Sequence, residues 1–384
     1  MQRFYFDHNA TTPVAPEVLE TVVSCLGQVY GNASSIHHFG QAAKQRLETA
    51  RRQVAALIHA DAREIVFTSG GTESDNMAIQ GVVRAADQPS KHIVTCAIEH
   101  PAVLMTVKHL QQEGVEATAV KVGASGVVNP DDIRRALRPE TVLITIMHAN
   151  NELGTVQPIA EIARIARQAG VALHVDGVQA AGKIPVDVGE LGVDLYTLSG
   201  HKLYAPKGVG ALYVRKATRL EPLAWGGHHE RDRRPGTENV PGIAAFGAAA
   251  EVAGRCLRED AERIGVLRDR LENAVLERIP GCGINGSRWN RVPNTSNIYF
   301  DGVDGEAMVI ALDLRGFAVS TGAACSSGAL TPSHVLTAIG LSDDRARASM
   351  RFSLGRGNTA EQVNALVDAI GSSVAHLRRI SVHA

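Results

Sequence analysis

Short apolar runs alternate with stretches in which apolar residues recur every three or four positions, and this rhythm fills the first two-thirds of the chain. Runs at 64–68, 92–98, 117–122, 142–147, 172–175, 195–198 and 209–214 read as strands. The stretches between them read as amphipathic helices. In 41–59, for example, Ala43, Leu47, Ala50, Val54, Leu57 and Ile58 mark one face, and Pro16, Pro101, Pro130 and Pro158 sit where a helix accepts proline in its first turn. A strand–helix–strand alternation of this length predicts a mostly parallel sheet covered on both faces, with ligands at the carboxyl ends of the strands. Beyond a charged loop at 226–237, two helical patterns follow at 240–257 and 260–278. The pattern then changes to a loop-like stretch at 280–293 and a smaller α+β arrangement with strands near 295–300, 318–320 and 348–354. The expected division is a large domain at 15–258 and a small one at 259–384, with residues 1–14 packed on the latter.

Composition narrows the function classes. The chain has 384 residues, 45% of them hydrophobic, and 39 basic side chains nearly balance 40 acidic ones for a net charge of −1. Near-neutrality gives no electrostatic case for nucleic acid or a membrane surface, so a small-molecule substrate fits better. The N-terminus lacks the pattern of a secretion signal and no apolar run reads as long enough to span a bilayer, which predicts a cytoplasmic protein. Cys25, Cys96, Cys256, Cys282 and Cys325 are odd in number and include no C-x-x-C pair, which argues for free thiols in a reducing compartment. Cys25 and Cys256 fall in helical patterns, Cys96 in a strand and Cys282 in a loop between two glycines.

Polar residues collect at the predicted strand ends. His100 follows one strand, Asn150 and Asn151 another, Asp176 and Gln179 a third, and Lys202 the next. Each alone is more often a cap or turn residue; together they suggest a site. Lys202 sits on a Gly-containing turn between two core strands. There its amine is either a solvated surface charge or a desolvated Schiff-base nucleophile with a lowered pKa. The turn Ser69-Gly70-Gly71-Thr72 runs from a strand into a helix and is either an ordinary connection or an anion site, most simply for phosphate. It is neither a Walker loop nor a G-x-G-x-x-G fingerprint. Arg351 lies on a predicted strand opposite Met350, Phe352 and Leu354, placed for bidentate capture of a carboxylate or for a surface salt bridge. His228 and His229 lack the spacing of a metal site, and H-E-x-x-H does not occur. Cys325 stands in STGAACSSGALTPSHVL, a run of small residues that reads as an exposed, mobile loop, with a cysteine packed beneath its neighbours as the alternative.

The Lys202 stretch SGHKLYAPKGVGALYV, the 71–72 turn in FTSGGTESDN, and Asp176 and Gln179 in HVDGVQAAGKIPVD resemble the pyridoxal-phosphate site of the class V aminotransferases. FDHNATTPV, EHPAVL, MHANNELGTVQPI, GGHHERDRRPGTEN, PNTSNI, TGAACSSGALTPSHVL and MRFSLGR further resemble the cysteine desulfurases of NifS and IscS type, from residue 4 almost to the C-terminus. The resemblance implies an α/β, fold type I pyridoxal-phosphate enzyme that converts L-cysteine to L-alanine and passes the sulfur to Cys325 as a persulfide, supplying iron–sulfur cluster assembly. It implies Lys202 as the residue that carries pyridoxal 5'-phosphate, Asp176 on the pyridine nitrogen, Gln179 on the phenolic oxygen, and His100 on the ring and in proton transfer. Gly71, Thr72, Ser199 and His201 would meet the phosphate, together with Thr237 from a second subunit of a homodimer. Asn151 would lie near ring and substrate, and Arg351 would take the substrate carboxylate. A NifU- or IscU-like scaffold would accept the sulfur, and a Cys325 persulfide could ligate iron during transfer. Selenocysteine lyase or aminotransferase activity on the same scaffold, or a non-catalytic sulfur or cluster carrier, are the rival readings. One departure is GAACSSG where many relatives have GSACTSG, which removes a hydroxyl before Cys325.

Overall fold

The computed structural model describes residues 2–322 and 332–381, with Ser381 described in backbone only. Twelve strands occur among them: β1 Phe4–Tyr5, β2 Ile65–Thr68, β3 His92–Cys96, β4 Glu116–Val120, β5 Thr141–Met147, β6 Ala172–Asp176, β7 Leu195–Ser199, β8 Gly210–Val214, β9 Cys282–Ile284, β10 Thr295–Phe300, β11 Phe317–Ala318 and β12 Ser349–Ser353. Seven form one sheet in the order β2-β8-β7-β6-β5-β3-β4. All its pairings are parallel except those of β8, which runs antiparallel to both β2 and β7.

β5, TVLITIM, is buried at every position because helices cover both faces of the sheet. On one side helices Pro16–Gln28, His38–Leu57 and Val240–Arg278 pack together, with Ala43, Ala50, Val54, Phe246 and Ala250 in a common core. On the other, Met77, Ile79 and Val83 of helix Gly71–Ala85 and Val103 and Leu110 of helix Pro101–Gln112 fill a second core with Val66, Ile93 and Leu212. A third core joins Leu271, Val275, Ile298, Phe300, Met350, Phe352, Leu366 and Ile370 with Phe6 of the N-terminal arm. It lies over the antiparallel sheet β12-β10-β9, and β1 pairs parallel with β11 beside it.

Several local expectations are corrected. The two helical patterns at 240–257 and 260–278 are one helix, Val240–Arg278, whose apolar residues serve the first core up to Ala253 and the third from Ile264. By length and composition this helix could cross a bilayer, contrary to the reading of the sequence, but much of it is buried against its neighbours. Cys282 lies in β9 rather than a loop, and its thiol donates to the Ile279 carbonyl at 3.0 Å.

The loop before the long helix is pinned from inside. Glu230, Arg231 and Asp232 all have left-handed φ, 44°, 58° and 64°, which is costly for three consecutive non-glycine residues. A buried ion pair holds them there: Arg51 meets both Glu230 carboxylate oxygens at 2.7 Å, and Glu230 also accepts from the Phe67 N–H at 2.8 Å. The Arg51 guanidinium lies over the Phe67 ring. Glu230→Ala therefore removes the buried carboxylate that pairs with Arg51, leaving it only the half-exposed Glu48 at 3.2 Å, and should cost about 3 kcal/mol in denaturant unfolding, whereas Arg63→Ala, whose ion pair with Asp61 is exposed, should leave the unfolding midpoint nearly unchanged.

Candidate active site

A cavity of about 500 Å³ opens at the carboxyl ends of the central strands. Gly71, Thr72, His100, Asn151, Asp176, Gln179, Ser199, His201, Lys202 and Arg351 all line it, so segments up to 280 residues apart in sequence, as 71 and 351 are, converge on one volume. Thr237 is exposed and does not line the cavity of its own chain. Cys325 lies outside the described residues. Among those residues no group of three or more His, Cys, Asp or Glu is arranged to hold a metal ion.

One end of the cavity is an anion cup. β2 ends at Thr68 and helix Gly71–Ala85 starts three residues later with Gly70 as N-cap. No side chain caps it. Glu73 in the first turn reaches back to accept from the Ser69 N–H at 2.7 Å and pairs with Arg234 at 2.8 Å. The first-turn N–H groups are left for an anion, with the helix dipole behind them. A Cβ on Gly71 would lie 2.9 Å from the Val178 side chain, so glycine keeps this wall open. Opposite, Ser199 ends β7, and His201 shares a hydrogen bond with the Thr11 hydroxyl at 3.1 Å. Burial lowers the His201 pKa to about 4, which makes it a neutral hydrogen-bonding wall.

Asp176 ends β6, accepting from the Val178 N–H at 3.0 Å. The next residue is glycine because a Cβ on Gly177 would fall 1.9 Å from the Tyr196 ring. Burial raises the Asp176 pKa, with His100 and Lys202 pulling it back down. Two more carboxyl groups, which the sequence reading passed over, stand nearby. Asp75 also lines the cavity, and Glu99 takes the Met147 N–H at 2.8 Å. Burial pushes both well up, and Asp75 Oδ1 and Glu99 Oε2 have no hydrogen-bond partner. His100 caps helix Pro101–Gln112, accepting the Ala102 N–H on Nδ1 at 3.1 Å, so its neutral form carries the proton on Nε2. Burial lowers its pKa, reinforced by Lys202 and His334 and opposed by Asp176.

Lys202 donates to the carbonyls of Asn9 at 2.5 Å and Ala10 at 2.6 Å. It is a half-buried amine held by backbone, not the solvated turn lysine. Asn9 is the residue that sequence reasoning missed most plainly. Its carbonyl also accepts from Gln179 Nε2 at 3.0 Å, and its side chain donates to Asn151 O at 3.0 Å and Thr295 Oγ1 at 2.8 Å. Arg351, 2% exposed, is no surface salt bridge: it donates to Asp7 Oδ1 at 2.7 Å and Asn151 O at 3.1 Å. Glu152, buried in the same wall, accepts from the Ser333 hydroxyl at 2.7 Å.

The family model described as aminotransferase class-V matches residues 4–366. The chain belongs to the class V aminotransferase family. Within that family it is 48% identical over 377 residues to the cysteine desulfurase IscS of Dictyoglomus turgidum, covering 98% of this chain and 96% of the relative. Among solved structures, a NifS-like protein superposes with a TM-score of 0.92 at 36% identity, covering 98% of this chain and all of that one. SspA, solved in complex with cysteine, is 37% identical with a TM-score of 0.82 over 92% of this chain and 99% of its own. Family members use pyridoxal phosphate, and the residues present fit that group. A helix N-terminus offers N–H groups to a phosphate, a buried carboxyl group stands available to a pyridinium, an amine shares the same lining, and Asp75 Oδ1 lacks a hydrogen-bond partner.

Without the cofactor, Asp176 is a desolvated acid. Its folded-state pKa is raised, so it favours folding while protonated, and that contribution is lost as pH rises through the folded-state value. Asp176→Asn keeps the Val178 hydrogen bond and removes the charge. In the apoprotein it should be more stable than the unsubstituted chain near neutral pH and equal to it in acid, read by denaturant unfolding across pH, while retention of pyridoxal phosphate falls.

Proposed function

We propose that this cavity is the catalytic centre of a cysteine desulfurase, a pyridoxal-phosphate-dependent enzyme that takes sulfur from L-cysteine for iron–sulfur cluster assembly and leaves L-alanine. The observation that carries the reading is the meeting, in one cavity, of an amine (Lys202), a buried acid (Asp176), an anion cup at 71–72 and a carboxylate-binding arginine (Arg351). Near-full-length similarity to cysteine desulfurases supports it.

Gly71, Thr72, Ser199 and His201 would hold the phosphate, Asp176 the pyridine nitrogen and Gln179 the phenolic oxygen, with His100 against the ring. Bound there, pyridoxal phosphate supplies an electron sink for breaking bonds at Cα and Cβ. Arg351 takes the substrate carboxylate in charge-assisted hydrogen bonds, competing with Asp7 for the guanidinium, and Asn151 flanks substrate and ring. Lys202 removes the Cα proton. His100, neutral because it is buried, is suited to moving a proton at the substrate thiol through Nε2. The Cys325 thiolate attacks the substrate sulfur, the Cβ–S bond breaks, Cβ gains a proton, and alanine leaves as Cys325 retains the sulfur in a persulfide. Iron, if ligated by Cys325 during delivery, is cargo rather than a resident cofactor.

The wider setting is proposed on the same footing. The enzyme works in the cytoplasm as a homodimer, Thr237 of each chain completing the other's phosphate cup, and an iron–sulfur scaffold of NifU or IscU type receives the sulfur. Residues 15–258 form the cofactor domain, and 1–14 with 259–384 the smaller one that carries Cys325.

Incubating the purified chain with pyridoxal phosphate and L-cysteine should yield alanine and, with excess thiol, sulfide in equal amounts. Cys325→Ser should keep the visible cofactor band while sulfide release drops by about 10²-fold or more. Sulfide formation at the wild-type rate by that variant would sink the assignment. Lys202→Ala should abolish borohydride-fixable attachment of the cofactor, measured by mass spectrometry.

A further inference from the structure

Gln179 lines the cavity and makes its hydrogen bonds to Asn9, which is also in the lining, and to Lys183, which is not. Nε2 donates to the Asn9 carbonyl at 3.0 Å, and Oε1 accepts from Lys183 Nζ, four residues further along the turn that leaves β6. Lys183 also donates to Asn9 Oδ1 at 3.0 Å, an oxygen shared with Asn294 Nδ2 at 2.9 Å. Two partners thus fix the identity of both ends of the amide. Its oxygen is committed to a donor, one of its two N–H groups is committed to a carbonyl, and the second N–H is what it has left to offer.

Lys183 is an unusual residue to find here. Lys202, Arg351 and His8 are its electrostatic neighbours, while Tyr204, Arg356 and Asp260 share a small cavity with it, Asp260 being paired with Arg356 at 2.6 Å; the acceptors it meets among the described residues are neutral amide oxygens. Although part of its stem is accessible, burial of the amine pushes its pKa well below the ordinary lysine value, with Lys202 and Arg351 pushing the same way. An amine placed among cations with no carboxylate hydrogen-bonded to it is not explained by ion pairing. An apolar side chain would fill the volume without the desolvation cost. What the amine does that an apolar group cannot is hold Gln179 Oε1 and Asn9 Oδ1 in place.

We infer that Lys183 is a positioning residue that locks the Gln179 amide with its oxygen turned to the rear and its free N–H turned to the phenolic oxygen of the cofactor. This rests on the reading of Gln179 as the contact of that oxygen. A flipped amide would set one oxygen against another at both places, facing the Asn9 carbonyl behind and the phenolate in front. With the lock intact, the amide draws negative charge from the phenolate and lowers the affinity of the adjoining imine nitrogen for its proton.

The experiment is a pH titration of the visible band of the bound cofactor in the holoenzyme, without substrate. Gln179→Leu should move the midpoint upward by about one pH unit. Lys183→Met should move it in the same direction, and in the Gln179→Leu background it should add nothing. Lys183→Leu is made alongside, so that packing varies while the amine is absent from both. Lys183→Arg, which keeps a donor, should return the midpoint toward the unsubstituted value. A shift with Gln179→Leu but none with either apolar Lys183 variant overturns this inference alone, as does a Lys183→Met shift of equal size when Gln179 is already gone. No shift with Gln179→Leu overturns the reading of Gln179 and the inference with it.

Discussion

Everything at the site depends on where Asn9 is held. A buried residue of the N-terminal arm, it receives hydrogen bonds from Lys202, Gln179 and Lys183 and donates its own side chain to Asn151 O and Thr295 Oγ1. Its N–H reaches Ser353 Oγ at 2.9 Å. One asparagine therefore joins the turn after β7, the turn after β6, the loop after β5 and two strands of the smaller sheet, the central β10 and the edge β12. Every one of its polar atoms is used, and that leaves little freedom for the amine of Lys202 to settle elsewhere.

The surrounding chemistry is one of desolvation rather than of paired charge. Asp75, Glu99 and Asp176 are acids raised by burial, and Lys183, His100 and His201 are bases lowered by it. Both trends push toward neutral forms, and Asp75 Oδ1, on a residue of the cavity lining, has no hydrogen-bond partner, with His174 Nε2 3.5 Å away. A dianionic phosphate and a pyridinium bring the charges that such a cavity lacks. Arg351 is the exception, with its own carboxylate in Asp7. Under the proposed role of Arg351, a substrate carboxylate would enter an exchange of partners with Asp7 rather than an open cationic socket.

The sheet was legible because its signal is local. β5 and β6 are mostly apolar, and β7 and β8 flank a turn that glycine and proline announce. The polar residues at the strand ends were legible for the same reason, and all but Asn150, whose amide turns to the Ile98 carbonyl, meet in one cavity. Asn9, Asp75, Glu152 and Lys183 were not, because nothing near them in sequence says what they touch: the partners of Asn9 lie as far off as Ser353, and Glu152 meets Ser333. The long helix was misjudged for a different reason. Its apolar stripe changes partners between Ala253 and Ile264, and a change of face reads in sequence like a break. Asp7 was hidden in a motif whose neighbours drew the eye, although its bond to Arg351 decides what that arginine is.

The parallel pairing of β1 with β11 sets Phe4 against Phe317 and Tyr5 against Ala318. During ribosomal synthesis the opening residues are thus exported first and seated among the last, after some three hundred others have emerged. Until β11 has been made β1 has no strand partner, although Thr12 and Ala15 further along the arm can already bond the His201 and Tyr204 carbonyls. The first strand of the chain is completed only by one of its last.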